Sequence, residues 1–448
     1  MLKYTIFVIM KRNIYKSLLA WKNSKDRKPL VLYGARQVGK TYILKEFGKN
    51  EFKNVLYLNF DANKELQKYF ADDISPKRII DSLKVLFNQE INTNDTLIIF
   101  DEIQECQRAK DSLKYFNEDA PEYYIAAAGS FLGIAGGKFP VGQVDKLTLF
   151  PLSFFEFLEA TNNEILLKNL PSENNWNSGI NALATEKLKQ YFYVGGMPEA
   201  VKAYAETGDL LLVRQIQENI LSSYKEDFFK HIKGSDIPKV RMLWDSIPVH
   251  LAKEKKKFVY KEIKQGGRAA EFENALDWLV NTGLVYKISK TGEAKLPLIA
   301  YEERDSFKLY MHDTGLLAAS AKLDIKTFFN SEHDVFREFK GAIAEQFVLQ
   351  ELKPQNFPIA FWANSTGKAE VDFVIQYEDK IIPIEVKSGE NIKAKSLGVY
   401  LEKYSPKIAI RTSLSSYEKR ECLIDIPLYL LGDLKRIISA QTISLHLP

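Results

Sequence analysis

"LVLYGARQVGKT", residues 30 to 41, is a short apolar run that ends in a glycine-rich turn and leads into the helical pattern "YILKEFGKN". Gly34 to Thr41 fit G-x-x-x-x-G-K-[ST], and a strand before with a helix after is the context in which that pattern has chemical meaning. The backbone N–H groups of Gly34, Ala35, Arg36, Gln37, Val38 and Gly39 can turn inward onto phosphate oxygens, and the following helix N-terminus adds its dipole. Lys40 is placed to meet the β- and γ-phosphates of ATP, and Thr41 to hold Mg2+.

A second apolar run, "TLIIFDE", supplies the complementary half. Asp101 at its C-terminal end would order the Mg2+ shell, and Glu102 beside it would polarise an attacking water. Ser130, in "AAAGS" at the end of the next strand, suits a sensor of the γ-phosphate and equally a turn serine. No arginine finger is evident, which leaves the transition-state charge less stabilised.

Beyond the loop, residues 30 to 149 alternate the apolar runs "LVLYG", "VLYLNF", "TLIIFDE", "YYIAAAGS" and "KLTLF" with longer stretches such as 64 to 91 that read as helices. That alternation predicts a parallel sheet with helical crossovers. From 181 to 235 the spacing is helical throughout. "KVRMLWDSIPVHLAKE", "FVYKEIKQ" and "AEFENALDWLVNTG" read as three compact helices, and strand-like stretches around a Thr-Gly turn follow, a sequence that suits a winged helix. A helix is expected over 335 to 352, with strands resuming at 359, 371, 381 and 407.

The chain as a whole sets outer bounds. Its 448 residues are too many for one ordinary core and suggest about three domains. Hydrophobic residues at 46% and charged residues at 27% give the balance of a globular protein, and no apolar run approaches a bilayer span. The opening "MLKYTIFVIMKRN" lacks a small-residue cleavage site, so a signal peptide is not expected. Two distant cysteines and five scattered histidines give neither a disulfide framework nor zinc spacing, and a reducing cytoplasm fits. A net charge of +4 neither demands nor excludes nucleic acid.

"EVDFVIQYEDKIIPIEVKSG", residues 370 to 389, places charges on two otherwise apolar strands joined by Tyr377-Glu378-Asp379-Lys380, which suits a hairpin turn. Alternation sets Glu385 and Lys387 on one face. Asp372, Glu385 and Lys387, with Glu345 from the preceding helix, form the set that metal-dependent phosphodiester hydrolysis requires: hard oxygens for a divalent ion, Mg2+ or Mn2+, and a cation that aligns water. Glu370 shares the face of Asp372 as an extra ligand or a solvated charge. The competing reading is a surface pair on a hairpin, worth little. Residues 253 to 268, "KEKKKFVYKEIKQGGR", carry seven Lys or Arg against two Glu and suit DNA phosphates. Glu271, Glu273 and Asp277 on the following helix oppose insertion into a groove, so backbone contact to DNA and packing against protein stand level.

"GARQVGKT", "FDEIQ", "AAAGS", "LTLFPLSFFEFL" and "YVGGMPEAV", then "FKLYMHDTGLLA", "GAIAEQFVLQEL" and "EVDFVI…IPIEVKSG", resemble a prokaryotic family of AAA+-type P-loop ATPases with a C-terminal domain of uncertain function. The resemblance runs from about 30 to 410. It implies an α/β fold in the order N-terminal arm 1–23, AAA+-type ATPase core 24–170, helical lid 171–235, winged helix 236–325 and restriction-endonuclease-like, PD-(D/E)XK domain 326–448. Many members of the family have arginine where this chain has Gln143. Together these readings suggest an ATP-hydrolysing switch coupled to a nuclease-like, DNA-directed domain, or a regulatory ATPase whose nuclease-like domain is an inactive scaffold. ATP, DNA and a second copy or protein partner are the expected partners, and a membrane is not.

Overall fold

The computed structural model describes residues 10–129, 142–171, 175–232, 234–253, 256–329, 337–389 and 395–444, so Ser130 and Lys255 lie outside the described residues. The chain forms two compact units, one of Lys11–Phe150 with Asn281–Leu284, the other of Met1–Met10, Pro151–Val280 and Val285–Pro448.

The first unit is built on five strands, β1 (Leu30–Tyr33), β2 (Asn54–Asn59), β3 (Thr96–Asp101), β4 (Tyr124–Ala128) and β5 (Asp145–Thr148). All pair in parallel, in the order β2-β3-β4-β1-β5. The expected alternation of strand and crossover helix is therefore present. β3 is buried along its whole length, which is why it reads as an unbroken apolar run. Phe60, Phe70 and Phe100 pack edge to face at 5.4 to 5.8 Å between ring centres on one side of this sheet. The helix expected over 64 to 91 is two pieces, a 3-10 segment Lys64–Phe70 and a helix Pro76–Phe87. Pro76 causes the break, since a proline without an N–H fits only the first turn of a helix.

The second unit carries the helices Ser178–Val194, Pro198–Thr207 and Leu210–His231 over the stretch read as a lid. Its eight-stranded sheet comprises β6 (Val285–Thr291), β7 (Glu302–Met311), β8 (Ile359–Ala363), β9 (Glu370–Tyr377), β10 (Lys380–Val386), β11 (Ala409–Ser413), β12 (Glu418–Arg420) and β13 (Leu423–Pro427), ordered β12-β13-β11-β10-β9-β8-β6-β7. Helix Arg337–Leu352 precedes the antiparallel meander β8-β9-β10, and helix Lys395–Tyr404 leads to β11, which runs parallel to β10. The meander turn falls on Glu378 and Asp379, as the polar stretch predicts.

Two features differ from the sequence reading. "FVYKEIKQ" is no helix but a 3-10 turn of three residues, Tyr260–Glu262. The Phe258 N–H donates to the Phe307 carbonyl at 2.8 Å and its ring stacks on Phe307, which holds the chain extended before the turn. The β6–β7 hairpin, assigned to a separate winged-helix segment, joins the C-terminal sheet through the parallel pairs Lys290–Phe361 and Thr291–Trp362.

Candidate functional site

In the first unit the glycine-rich loop turns at the end of β1. Gly34 has φ +145°, and a Cβ there would lie 2.3 Å from the Leu149 carbonyl oxygen, so no other residue fits the turn. Gly39 at φ +97° starts helix Lys40–Glu51. Arg12, which the sequence reading left in an N-terminal arm, donates to the Val38 carbonyl at 3.1 Å and to Phe150 at 2.6 Å, and so pins the loop from outside. The Lys40 ammonium folds over its own loop, donating to the Gly34 and Ala35 carbonyls at 2.9 and 2.7 Å. Burial lowers its pKa to about 8, while Glu102 and Asp101 oppose that shift and Arg36 adds to it.

Asp101 ends β3 within reach of the loop. Its Oδ2 accepts from Thr41 Oγ1 at 2.9 Å and from the Tyr57 hydroxyl at 2.7 Å. Thr41 and Asp101 thus present two hard oxygens side by side, a donor set that fits Mg2+. Burial, then the hydrogen bond to Asp101, pushes the Tyr57 phenol up to about 12. Glu102 occupies the left-handed region at φ 48°, a costly conformation for a non-glycine residue, and accepts from Gln104 at 2.5 Å. Lys40, Thr41, Asp101 and Glu102 are therefore brought together beside the ends of β1 and β3. Tyr57, Gln104 and Arg12 were not read from the sequence; the cue for Tyr57 is that it and Asn59 are polar-tipped residues ending a strand that pairs with β3. Gln143 bonds to Asn117 and, at 3.1 Å, to Glu118.

In the second unit Glu345, Asp372, Glu385 and Lys387 also converge. Lys387 Nζ donates to Glu385 Oε1 at 2.7 Å, and Asp372 Oδ2 accepts from the Val386 N–H at 2.8 Å. Glu345 bonds to the Lys256 ammonium, accepts from the Tyr310 hydroxyl at 3.2 Å and lies 3.9 Å from Lys308 Nζ. Glu370, one of its two expected roles being a solvated charge, pairs with Lys308 at 2.5 Å. Burial raises the Asp372 pKa well above the carboxylate range, and the Glu345 and Glu385 charges push the same way. Burial also raises Glu385, against the pull of Lys387. Glu345 is held low: burial alone would raise it, but the Lys256 and Lys308 charges outweigh that cost.

As arranged, these carboxylates do not fit the divalent ion that the sequence reading assigns to Glu345, Asp372 and Glu385. Among the described residues no group of three or more His, Cys, Asp or Glu side chains is disposed to hold a metal ion. The physical reason is that two lysines already neutralise Glu345 and its neighbours. The basic segment shows the same tendency toward internal pairing. Lys253 pairs with Glu262 at 2.6 Å, Lys264 with Glu271 at 2.5 Å, and Lys256 with Glu345.

Residues 26–158 match the family described as AAA domain. Residues 185–327 and 340–431 match two domains of unknown function, DUF8612 and DUF4143. The AAA-domain match falls on the five-stranded unit, a P-loop ATPase-like domain. An uncharacterized protein of Methanocaldococcus jannaschii is 23% identical over 385 residues, covering 83% of this chain and 77% of its own length. Among solved structures, the Walker-type ATPase of Pyrococcus abyssi aligns with a TM-score of 0.45 at 15% identity, over 70% of this chain and 96% of that one. The Aeropyrum pernix Orc1 protein, solved in complex with DNA, aligns with a TM-score of 0.33 at 11% identity, over 72% and 95% of the two chains. No helix among the described residues is long and apolar enough to cross a membrane.

Proposed function

We propose that this protein is a Mg2+-dependent ATP-hydrolysing switch whose nucleotide state controls a nuclease-like, DNA-directed C-terminal unit. The observation that carries the reading is the convergence of Lys40, Thr41, Asp101 and Glu102 at the C-terminal edge of one parallel sheet. In this reading the amides from Gly34 to Gly39 cradle the phosphates, and Lys40 leaves its two loop carbonyls for the β- and γ-phosphates. Thr41 and Asp101 hold Mg2+, which neutralises phosphate charge when bound, and Glu102 orients the attacking water.

The nuclease-like assignment is supported by the order helix, three-stranded meander, helix, parallel strand, with Asp372 and the Glu385–Lys387 pair on adjacent strands. Lys257, Lys261 and Arg268 at exposed positions support a DNA-facing surface. The second reading, a regulatory ATPase with an inactive scaffold, is favoured by the lysines that neutralise Glu345 and Glu370. One preparation tests both. ATP turnover that requires Lys40 and Glu102, with DNA binding that differs between ATP and ADP states, is expected. Turnover with no DNA binding in any nucleotide state would move the C-terminal unit to the scaffold role.

A further inference from the structure

Within the second unit a cavity of about 220 Å3 opens between helix Ser178–Val194, helices Ile325–Phe329 and Arg337–Leu352, and the segments that follow β10 and β11. Its walls are mainly aromatic: Phe192, Phe328 and Phe329 line it. Each ring is braced by a neighbour. Phe192 packs on Phe347 with ring centres 5.1 Å apart, and Tyr193 packs on Phe328 and Phe329 at 5.2 and 5.7 Å. Rings fixed in this way lose little freedom when a flat ligand stacks on them.

Polar groups complete the lining. Lys189 stands three residues before Phe192 on one helix, so its ammonium shares that helix face with an aromatic wall, and Lys340 lies in the first turn of another. Ser388 also lines the cavity and follows Lys387, the partner of Glu385, directly in the chain. No Asp or Glu is among the described residues that line it. Braced aromatic faces with ammonium groups and no carboxylate match a flat, largely apolar ligand that carries negative charge at its edge. A nucleobase with its phosphate has that form. The volume lies below the roughly 300–1,000 Å3 of pockets for drug-sized ligands, so one ring system fits and a base pair does not.

We propose that this cavity takes one unpaired base of a nucleic-acid strand, stacked on Phe192 and Phe329 with Lys189 and Lys340 against the flanking phosphates, and that the C-terminal unit therefore prefers single strands to duplex. The proposal rests on reading that unit as DNA-directed. A base inside a duplex has both faces covered by its neighbours, whereas an unpaired base presents them. Ser388 beside Lys387 sets such a strand next to the charged pair on β10.

The test measures fluorescence anisotropy of a labelled oligothymidylate and of a blunt DNA hairpin with the full chain, without ATP. Wild type is expected to bind the single strand at least about ten-fold tighter than the hairpin. Phe329, at 37% exposure, is the wall most safely removed. Phe329→Ala should weaken single-strand binding by about five- to one-hundred-fold, Phe329→Trp should restore it, and a strand of abasic residues should bind both proteins equally. Lys189→Gln with Lys340→Gln should reduce the salt slope by about 0.7 per lost phosphate contact. DNA binding that is equal for strand and hairpin and unchanged in Phe329→Ala would overturn the subsite while leaving the DNA-directed reading standing. Binding to neither DNA would overturn both. Phe329-dependent binding of oleate, with no Phe329 dependence for the single strand, would assign the cavity to an acyl chain instead. If thermal melts show that Phe329→Ala does not fold, photocrosslinking of wild type to a 5-iodouracil strand supplies the readout: adducts are expected on peptides containing Phe192 or Phe329, and adducts confined to other peptides would refute the subsite.

Discussion

Thr41 Oγ1 donates a 2.9 Å hydrogen bond to Asp101 Oδ2, joining the end of the glycine-rich loop to the end of β3. The same carboxylate oxygen accepts from Tyr57 at 2.7 Å, so the acid is oriented from the first turn of helix Lys40–Glu51 and from β2. Hydrogen bonds to a charged group contribute about 1.5–3 kcal/mol each, enough to fix one rotamer.

Tyr57→Phe removes one of those two donors and leaves the ring. The Mg2+ concentration for half-maximal ATP turnover should rise by about three- to ten-fold, with the fold intact. A Mg2+ titration of phosphate release checks this, and an unchanged curve would show that Tyr57 does not position Asp101.

Gly34→Ala should be severe. A Cβ set 2.3 Å from the Leu149 carbonyl, at φ +145°, forces the loop to move, and a strained backbone of this kind costs on the order of 1–3 kcal/mol before the clash is counted. Loss of ATP affinity together with a lower Tm is expected from calorimetry and thermal melts. Wild-type values for both would contradict the loop geometry.

Burial holds the Lys40 ammonium at about 8, below its ordinary value. Phosphate binding favours the charged form, so the sign is fixed. Below about pH 8 the lysine is already protonated and affinity is flat. Above it each binding event must take up a proton, and affinity should fall about ten-fold per pH unit until the bound-state pKa is reached. Isothermal titration with ATP from pH 7 to 9.5 checks this, and Lys40→Arg, charged throughout, should lose the slope.

The ATPase sheet is legible because each strand is a short apolar run closed by turn residues, and the phosphate loop sits where β1 must end. The cue for Tyr57, a polar tip near the end of β2, is weak, since a tyrosine inside a strand already satisfies β-propensity. Nothing within "FKLYMHD" marks Lys308 as a buried residue. It is buried because only two residue pairs between β6 and β8 draw the hairpin into the larger sheet, and pairing over such sequence separation leaves no local signature. The same holds for Lys256, whose basic neighbours suggest DNA while its ammonium bonds to Glu345. Asp372, Glu385 and Lys387 were legible as a set because charges interrupt strands that otherwise read as buried; their neutralisation by distant lysines was not.

Phosphate release from ATP by purified full-length protein with Mg2+, run beside Lys40→Ala and Glu102→Gln with nucleotide affinity measured on all three, decides whether the first unit works as described. Wild type should hydrolyse ATP, Lys40→Ala should neither bind tightly nor turn over, and Glu102→Gln should bind as wild type does while its turnover falls by about two orders of magnitude or more. Equal ATP affinity in wild type and Lys40→Ala, or undiminished turnover in Glu102→Gln, would contradict it.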